Sequence, residues 1–248
     1  MIPKKLHYCW FGSKSKPNHF KECYISWEKY CPDFEIIEWN DNNTKDIQSP
    51  FFKNALRKKE YAFAADYIRT KILYEQGGVY VDTDFLIVKP IDFLLQYDFF
   101  TGEEIPGRVA YGFYGTKPQN HFLRDMLYFY DTNCFNSFAP PVITHTFSDL
   151  LKHDNLQINE KIFSPDFFYP LPYEVRNKDY TEFLTENTIA VHLWDHSWKI
   201  NKENETIQSL LIKIKIVLAD FFWYRYPYSY FKRYMREYSR KIYHKILN

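Results

Sequence analysis

"YEQGGVYVDTDFLIVKP", Tyr74 to Pro90, is the stretch whose reading decides the fold. Two glycines lead into an apolar run, and Asp82 and Asp84 interrupt that run. Val79, Tyr80 and Val81 stand before them, and Phe85, Leu86, Ile87 and Val88 follow. β-Branched and aromatic residues at this density favour a pleated segment. Residues two apart on a strand share a face, so the two carboxylates are expected to project side by side. Ionised carboxylates held together repel, and burying them unpaired costs several kcal/mol. A divalent cation removes the difficulty, and hard oxygen ligands suit Mg2+ or Mn2+. The plain alternative is a strand that ends early and leaves both aspartates in a solvated turn.

Immediately upstream, "EYAFAADYIRTKILYEQ" (Glu60 to Gln76) has helical spacing, and Gly77 and Gly78 sit where a helix stops. Ala65, Ile68 and Ile72 make a buried stripe, while Asp66 and Arg69 lie three apart on another face. That pair is either an ordinary exposed ion pair or a functional one. In the functional reading Arg69 meets a phosphate and Asp66 accepts hydrogen bonds from sugar hydroxyls.

Farther out, strands are expected over Lys5–Phe11, Phe34–Trp39, "YDFFTG", "RVAYGFYG" and Thr188–Trp194. Helices are expected over about Asn18–Tyr30, Asn120–Asp131 and Val142–His153. Strands alternating with helices argue for an α/β sheet flanked by helices, with a ligand beyond the carboxyl ends of strands. The chain has 248 residues, 46% hydrophobic, 21% aromatic and 25% charged, with 7 glycines. That composition suits one large folded domain and excludes disorder. Cys9, Cys23, Cys31 and Cys134 show no paired metal spacing and read as reduced thiols. "MIPKKLHYCWFG" lacks the apolar core of a signal peptide, and no window of about twenty apolar residues occurs. A cytoplasmic protein with no nucleic-acid partner is the expectation.

The net charge of +1 is unevenly spread. From Lys199 onward there are eleven Lys/Arg against four Asp/Glu. Leu210, Leu211, Ile214, Val217, Leu218 and Phe221 fall on one helical side, Pro227 interrupts, and Phe231, Met235, Tyr238, Ile242 and Ile246 form a second stripe. Lys232, Arg233, Arg236, Arg240, Lys241 and Lys245 cover the rest of that second helix. The division expected is a body over residues 1–206 and a basic, aromatic helical extension over 207–248. Such an extension can lie in a membrane interface, or dock on the body or a second subunit.

"IPKKLHYCWFG", "AADYIRTKILYEQGGVYVDTD" and "AVHLWDHSW", in that order, resemble the family 32 glycosyltransferases. That group includes bacterial capsular and O-antigen polysaccharide enzymes and the fungal outer-chain mannosyltransferase, and the catalytic domains of large glucosylating toxins are similar. The resemblance implies a GT-A fold, a nucleotide-sugar donor, Mn2+ or Mg2+ at the diphosphate, and retention of anomeric configuration. By position, it implies that Trp10 stacks on the base, with a core tryptophan as the alternative. It implies Asp66 on the donor sugar, Arg69 on the sugar–phosphate region, and Asp82 on the ribose or, through water, the metal. Asp84 would bind the metal directly. His192 or His196 would be the late metal ligand, though a histidine in an apolar strand is often only a core group. Ser197 and Trp198 would close over the phosphates. Residues 101–122 and 138–147 occupy positions that line the acceptor cleft in similar enzymes, with Glu103, Glu104, Tyr111 and Tyr114 as sugar contacts or plain surface.

The activity so implied is transfer of a hexose, from a UDP-linked donor, to a saccharide acceptor built on a lipid, at the inner membrane face. Two alternatives stand beside it. One is a non-catalytic binder of carbohydrate or nucleotide sugar. The other is a phosphatase of the haloacid dehalogenase type, whose Asp-x-Asp also ends an apolar strand. Here Phe85 follows Asp84, where that group expects a small or hydroxyl residue.

Overall fold

The computed structural model describes residues 1–136, 140–195, 206–223 and 228–247. Among the described residues, strands occupy Lys5–Cys9 (β1), Glu35–Trp39 (β2), Gly78–Val81 (β3), Phe85–Ile87 (β4), Phe99–Ile105 (β5), Arg108–Val109 (β6), Phe113–Thr116 (β7), Glu160–Phe163 (β8) and Ala190–His192 (β9). α-Helices among them occupy Asn18–Tyr30 (α1), Pro50–Arg57 (α2), Tyr61–Gln76 (α3), His121–Thr132 (α4), Ile143–Thr146 (α5), Pro165–Phe168 (α6), Ile207–Trp223 (α7) and Tyr228–Leu247 (α8).

The central sheet runs β2-β1-β3-β7-β5-β6, with β8 also paired to β5. β1 lies parallel to both β2 and β3, whereas β7 runs antiparallel to β3 and to β5. One face carries α2, α3 and α4 over a core that includes Phe51, Phe52, Ile68, Tyr80, Tyr114 and Tyr130. The other face packs Trp27 of α1 and Phe168 of α6 against Val79, Val81, Phe100 and Phe113. Alternation along β3 explains this division: Val79 and Val81 point to one face and Tyr80 to the other. The expected α/β sheet with helices on its faces is therefore what forms.

The helix before the glycines ends as its sequence requires. Gly77 (φ 65°) and Gly78 (φ 107°) take backbone angles that side chains resist, and the Gly77 N–H donates to Leu73 O at 2.9 Å. The aspartate segment differs from expectation. Asp82 and Asp84 do not sit within one strand; β3 ends at Val81 and β4 begins at Phe85. The Asp82 N–H makes the last rung, donating to Gly112 O at 2.8 Å. The chain then leaves the sheet, and β4 pairs antiparallel with β9. The turn is not solvated either, because Asp84 is 8% exposed.

Other elements shift for local reasons. The helix expected over 142–153 shrinks to α5, because Thr144, Thr146, Ser148 and Asp149 favour turns over helix interiors. The strand expected over 188–194 shortens to β9. α2 was not anticipated, although Ser49 caps it by accepting from the Phe52 N–H at 3.4 Å and Pro50 opens it. All four cysteines are free, and three are buried.

At the C-terminus α7 and α8 pack on each other, with Phe221 against Phe231 at 4.7 Å between ring centroids. Phe231, Met235, Tyr238 and Ile242 are thereby half-buried, so most of the apolar stripe of α8 is not offered to solvent. Leu211, Ile212, Phe222, Trp223, Tyr228 and Ile246 remain exposed. Among the described residues no helix is long and apolar enough to cross a membrane.

Candidate functional site

Two parallel strand ends define the site's floor. β1 and β3 are parallel neighbours, so Trp10, just past β1, and Asp82, just past β3, leave the sheet at the same end. α3 crosses above them and delivers Asp66 and Arg69 from one face. Both are 7% exposed, so this is not the exposed ion pair that spacing alone allows.

Arg69 is the hub. One guanidinium nitrogen lies 3.3 Å from Asp66 Oδ1 and 3.1 Å from Asp82 Oδ1. The other donates to the Tyr111 carbonyl at 2.8 Å and to Asp82 Oδ2 at 3.4 Å. The guanidinium also lies over the Tyr80 ring, 4.4 Å from its centroid. The Tyr80 hydroxyl donates to Asp82 Oδ1 at 2.9 Å. Burial opposes the Arg69 charge, but Asp82, Tyr80 and Asp66 together hold its pKa above the ordinary value. Burial pushes the Asp66 carboxyl up to about 7; Arg69 restrains the rise and Asp82 adds to it.

Asp84 faces the other way, toward β9. His192 Nε2 is 3.1 Å from Asp84 Oδ2. The His192 ring stacks on Phe85 at 4.7 Å between centroids, with Trp194 at 4.1 Å on another side. Trp194 holds φ 58°, and its indole N–H donates to Leu171 O at 2.7 Å. Burial raises both aspartates' pKa values, yet His192 outweighs it at Asp84, which ends below its usual range. At Asp82 burial wins and the shift is upward, despite Arg69. Burial works against a charged His192, but Asp84 overcomes it, and the net direction is upward.

Asp82, Asp84 and His192 each bring one ligand atom to a group in which all lie within 4.8 Å of one another. Octahedral coordination at about 2.1 Å spaces ligand atoms about 3–4 Å apart, so small side-chain shifts bring this group to it, and two carboxylates with an imidazole suit Mn2+ and, less well, Mg2+. The residues fit a divalent ion. Gly112 is tight against this cluster: a Cβ there would meet Asp82 Oδ2 at 2.8 Å, Phe85 at 2.9 Å and Tyr169 Oη at 3.1 Å.

Trp10 is half-buried at the strand end, not a core residue, with its indole N–H donating to Lys14 O at 2.9 Å. Tyr111 and Tyr114 are core residues, and Glu103 is buried with His153 Nε2 at 3.3 Å. His196, Ser197 and Trp198 lie outside the described residues. Tyr80 and Tyr169 were not anticipated. Tyr80 was open to inference, since it precedes Asp82 by two on a strand and so shares its face. Tyr169 sits in a segment with no pattern of its own.

Residues 17–100 match the family model described as the glycosyltransferase sugar-binding region containing the DXD motif. Residues 115–215 match the alpha 1,4-glycosyltransferase conserved region. Inositol phosphoceramide mannosyltransferase 3 of Schizosaccharomyces pombe is 27% identical over 147 residues, covering 56% of this chain and 40% of that protein. The alpha-1,4-N-acetylglucosaminyltransferase of Homo sapiens is 24% identical over 159 residues, covering 58% of this chain and 45% of that one. The chain thus spans less than half the length of these curated relatives. Among solved structures, the PaToxG glycosyltransferase aligns at 18% identity over 51% of this chain and 58% of its own, with a TM-score of 0.46.

Proposed function

We propose that this chain, whose residues 17–100 belong to the glycosyltransferase sugar-binding family with the DXD motif, transfers a hexose from a nucleotide diphosphate sugar to a saccharide acceptor. The observation that carries the reading is the Arg69-centred cluster joined through Asp82 to the Asp82–Asp84–His192 group. It sets a fixed cation and buried carboxylates beside a group of metal-ligand spacing. Metal-assisted transfer from a diphosphate-linked sugar uses all three.

The roles follow from position. Asp84 and His192 would hold the metal, and Asp82 would contact it through water or bind the ribose. Mn2+, or Mg2+, supplies stabilisation of the negative charge that grows on the departing diphosphate, a contribution of several kcal/mol. Arg69 faces the sugar–phosphate region with its charge fixed by two carboxylates and a ring, so it does not reorganise as charge develops. Asp66 accepts hydrogen bonds from donor-sugar hydroxyls. Trp10 is half-exposed at the same sheet end, where a base can stack on it. The resemblance adds His196, Ser197 and Trp198, outside the described residues, as further donor-binding or metal residues.

Against the phosphatase alternative stands Asp82 itself. A nucleophile must be free to attack phosphorus, and this carboxylate is held by Arg69 and Tyr80. A binder without turnover has the same site, so activity must be measured. UDP-galactose, UDP-glucose, UDP-N-acetylglucosamine and GDP-mannose are incubated with the protein and Mn2+, and release of nucleotide diphosphate is followed. The expectation is slow hydrolysis of a UDP-sugar, abolished by EDTA. Binding of UDP without any release supports the binder instead.

The acceptor we favour is a lipid-linked polysaccharide repeat of the capsular or O-antigen kind, reached from the cytoplasmic leaflet. The extension over 207–248 supports this. It carries exposed Phe222, Trp223 and Tyr228 where α7 gives way to α8, and basic residues along α8. Aromatic residues beside basic ones suit an anionic interface. Co-sedimentation with anionic vesicles, for the full chain and for a chain ending before Tyr228, tests the tether. Equal pelleting of the two speaks against it.

A further inference from the structure

β5 holds two consecutive glutamates, and the sheet treats them differently. Glu103 points to the α4 side and pairs with His153. Between Glu103 and Ile105 the β5–β6 register slips, a bulge centred on Glu104. Bulges re-aim side chains, and they recur beside active sites. Here the Glu104 side chain is largely buried at that irregularity.

The register locates it. Gly112 stands opposite Asp82, and the Ala110 N–H donates to Gly102 O at 2.9 Å on the next strand. Glu104 therefore lies two residues past Gly102, at the rim of the same sheet end that carries Asp82. Its side chain is 15% exposed, and its ion-pair partner is Arg108, whose side chain is 32% exposed. So the carboxylate is the inward member and the guanidinium the outward one. Burial raises the Glu104 pKa, with Arg108 and then His192 opposing the rise. Tyr169 is 3% exposed, and its hydroxyl lies against the Gly112 backbone, on the spot Asp82 Oδ2 also borders; it feels the charges of Glu104 and Asp82 and makes no hydrogen bond of ordinary geometry. A buried carboxylate at the sheet end that carries Asp82, and a buried hydroxyl beside Asp82 without an ordinary hydrogen bond, keep capacity for further hydrogen bonds.

We infer that Glu104, with the Tyr169 hydroxyl beside it, receives the attacking hydroxyl group: that of the saccharide acceptor, or water in its absence. This rests on the glycosyltransferase reading above. Glu104 accepts the hydrogen bond that orients the oxygen, and its ion pair with Arg108 lies on the outer, more exposed side.

Water as acceptor makes the test independent of the acceptor's identity. Nucleotide-sugar hydrolysis with Mn2+ is measured for wild type, Glu104→Gln, Glu104→Asp and Arg108→Gln, on whichever of the four donors wild type turns over. Losing a hydrogen bond to a charged group predicts a fall in kcat of about 10- to 100-fold for Glu104→Gln. Donor KM, UDP affinity and Tm stay as in wild type. Glu104→Asp recovers part of the rate, and Arg108→Gln keeps most of it. Unchanged kcat in Glu104→Gln overturns the inference. So do equal losses in Glu104→Gln and Arg108→Gln accompanied by equal falls in Tm, which is what a merely structural pair gives. If wild type hydrolyses no donor at all, the glycosyltransferase reading has failed, and this inference falls with it.

Discussion

The Val81–Phe85 turn and the α7–α8 pair break the ordinary distribution of residues in opposite ways. The turn buries charge, and the helices expose apolar surface. In the turn the charges meet partners within about a hydrogen bond's reach: Asp82 with Arg69 and Tyr80, Asp84 with His192. Buried charge is costly unless paired, so each partner there is fixed in kind and in place. In the helices Phe222 and Trp223 stand in solvent, and apolar area is non-directional. It specifies how much is to be covered, not by what. The first region therefore defines a chemistry, whereas the second defines only an affinity.

The largest effect should come from breaking the turn. Asp84→Ala removes one carboxylate from the metal group and relieves its repulsion with Asp82. Turnover should drop by several kcal/mol of barrier while Tm holds. If the variant keeps more than a tenth of wild-type turnover in saturating Mn2+, the metal assignment is wrong. Gly112→Ala sharpens the same point without touching a charge. Its Cβ would press on Asp82 Oδ2, which Arg69 and Tyr80 hold in place. Mn2+ affinity should weaken by about 10-fold, the low end of what disturbing a ligand's support costs. Unaltered Mn2+ binding by electron paramagnetic resonance would mean that Asp82 yields freely.

His7 provides burial without a charge partner. Its Nε2 meets Gly77 O at 3.0 Å, and the Trp39 indole N–H donates to its Nδ1 at 3.2 Å. Burial lowers its pKa to about 4. The unfolded chain, titrating near 6.5, then binds more protons than the folded one between those values. Stability is full above about pH 6.5 and is lost as pH falls toward 4, by at most about 3 kcal/mol. Denaturant midpoints from pH 7 to 4.5 should slope less steeply in His7→Gln than in wild type. Parallel slopes would place the acid sensitivity elsewhere.

The sheet was legible because strand periodicity and the glycine stop are local signals. The pairing of Asp82 with Asp84 as a cluster was legible because charge in an apolar run has few explanations. What was not legible needs three dimensions. Leaving the sheet at Asp82 depends on the Gly112 carbonyl and on a β9 partner over a hundred residues away. Tyr169 enters from a helix-and-turn segment, and nothing near it in sequence points to the site. The 142–153 region misled because its apolar spacing is helical while its Thr, Ser and Asp residues are not helix-forming. The stripe on α8 was read correctly as a pattern, but a stripe does not say that α7 will cover it.

Trp10 lies between the two regions in character, an aromatic face partly open to solvent yet anchored by its indole N–H. Trp10→Ala should weaken UDP binding in Mn2+ by about 1–3 kcal/mol. An unchanged affinity in a folded variant would make it a packing residue and would leave the base without a platform.

The smallest expected change tests the helices. Trp223 is 71% exposed at the end of α7, so removing its ring costs the folded body almost nothing. On an anionic vesicle that ring gains burial, alongside the basic residues of α8 at about 1 kcal/mol each. Trp223→Ser should then lower vesicle partitioning by about 1–2 kcal/mol, with nucleotide-sugar hydrolysis in solution and Tm both unchanged. Raising the salt should weaken wild type and variant alike, because the basic contribution is common to both and is screened. If Trp223→Ser pellets as well as wild type but Lys232→Glu does not, the surface binds by charge alone and the aromatic end faces something else. If instead Trp223→Ser lowers Tm, the ring is packed in solution, and the contrast between a fixed turn and an uncommitted helix pair fails at the residue that best displays it.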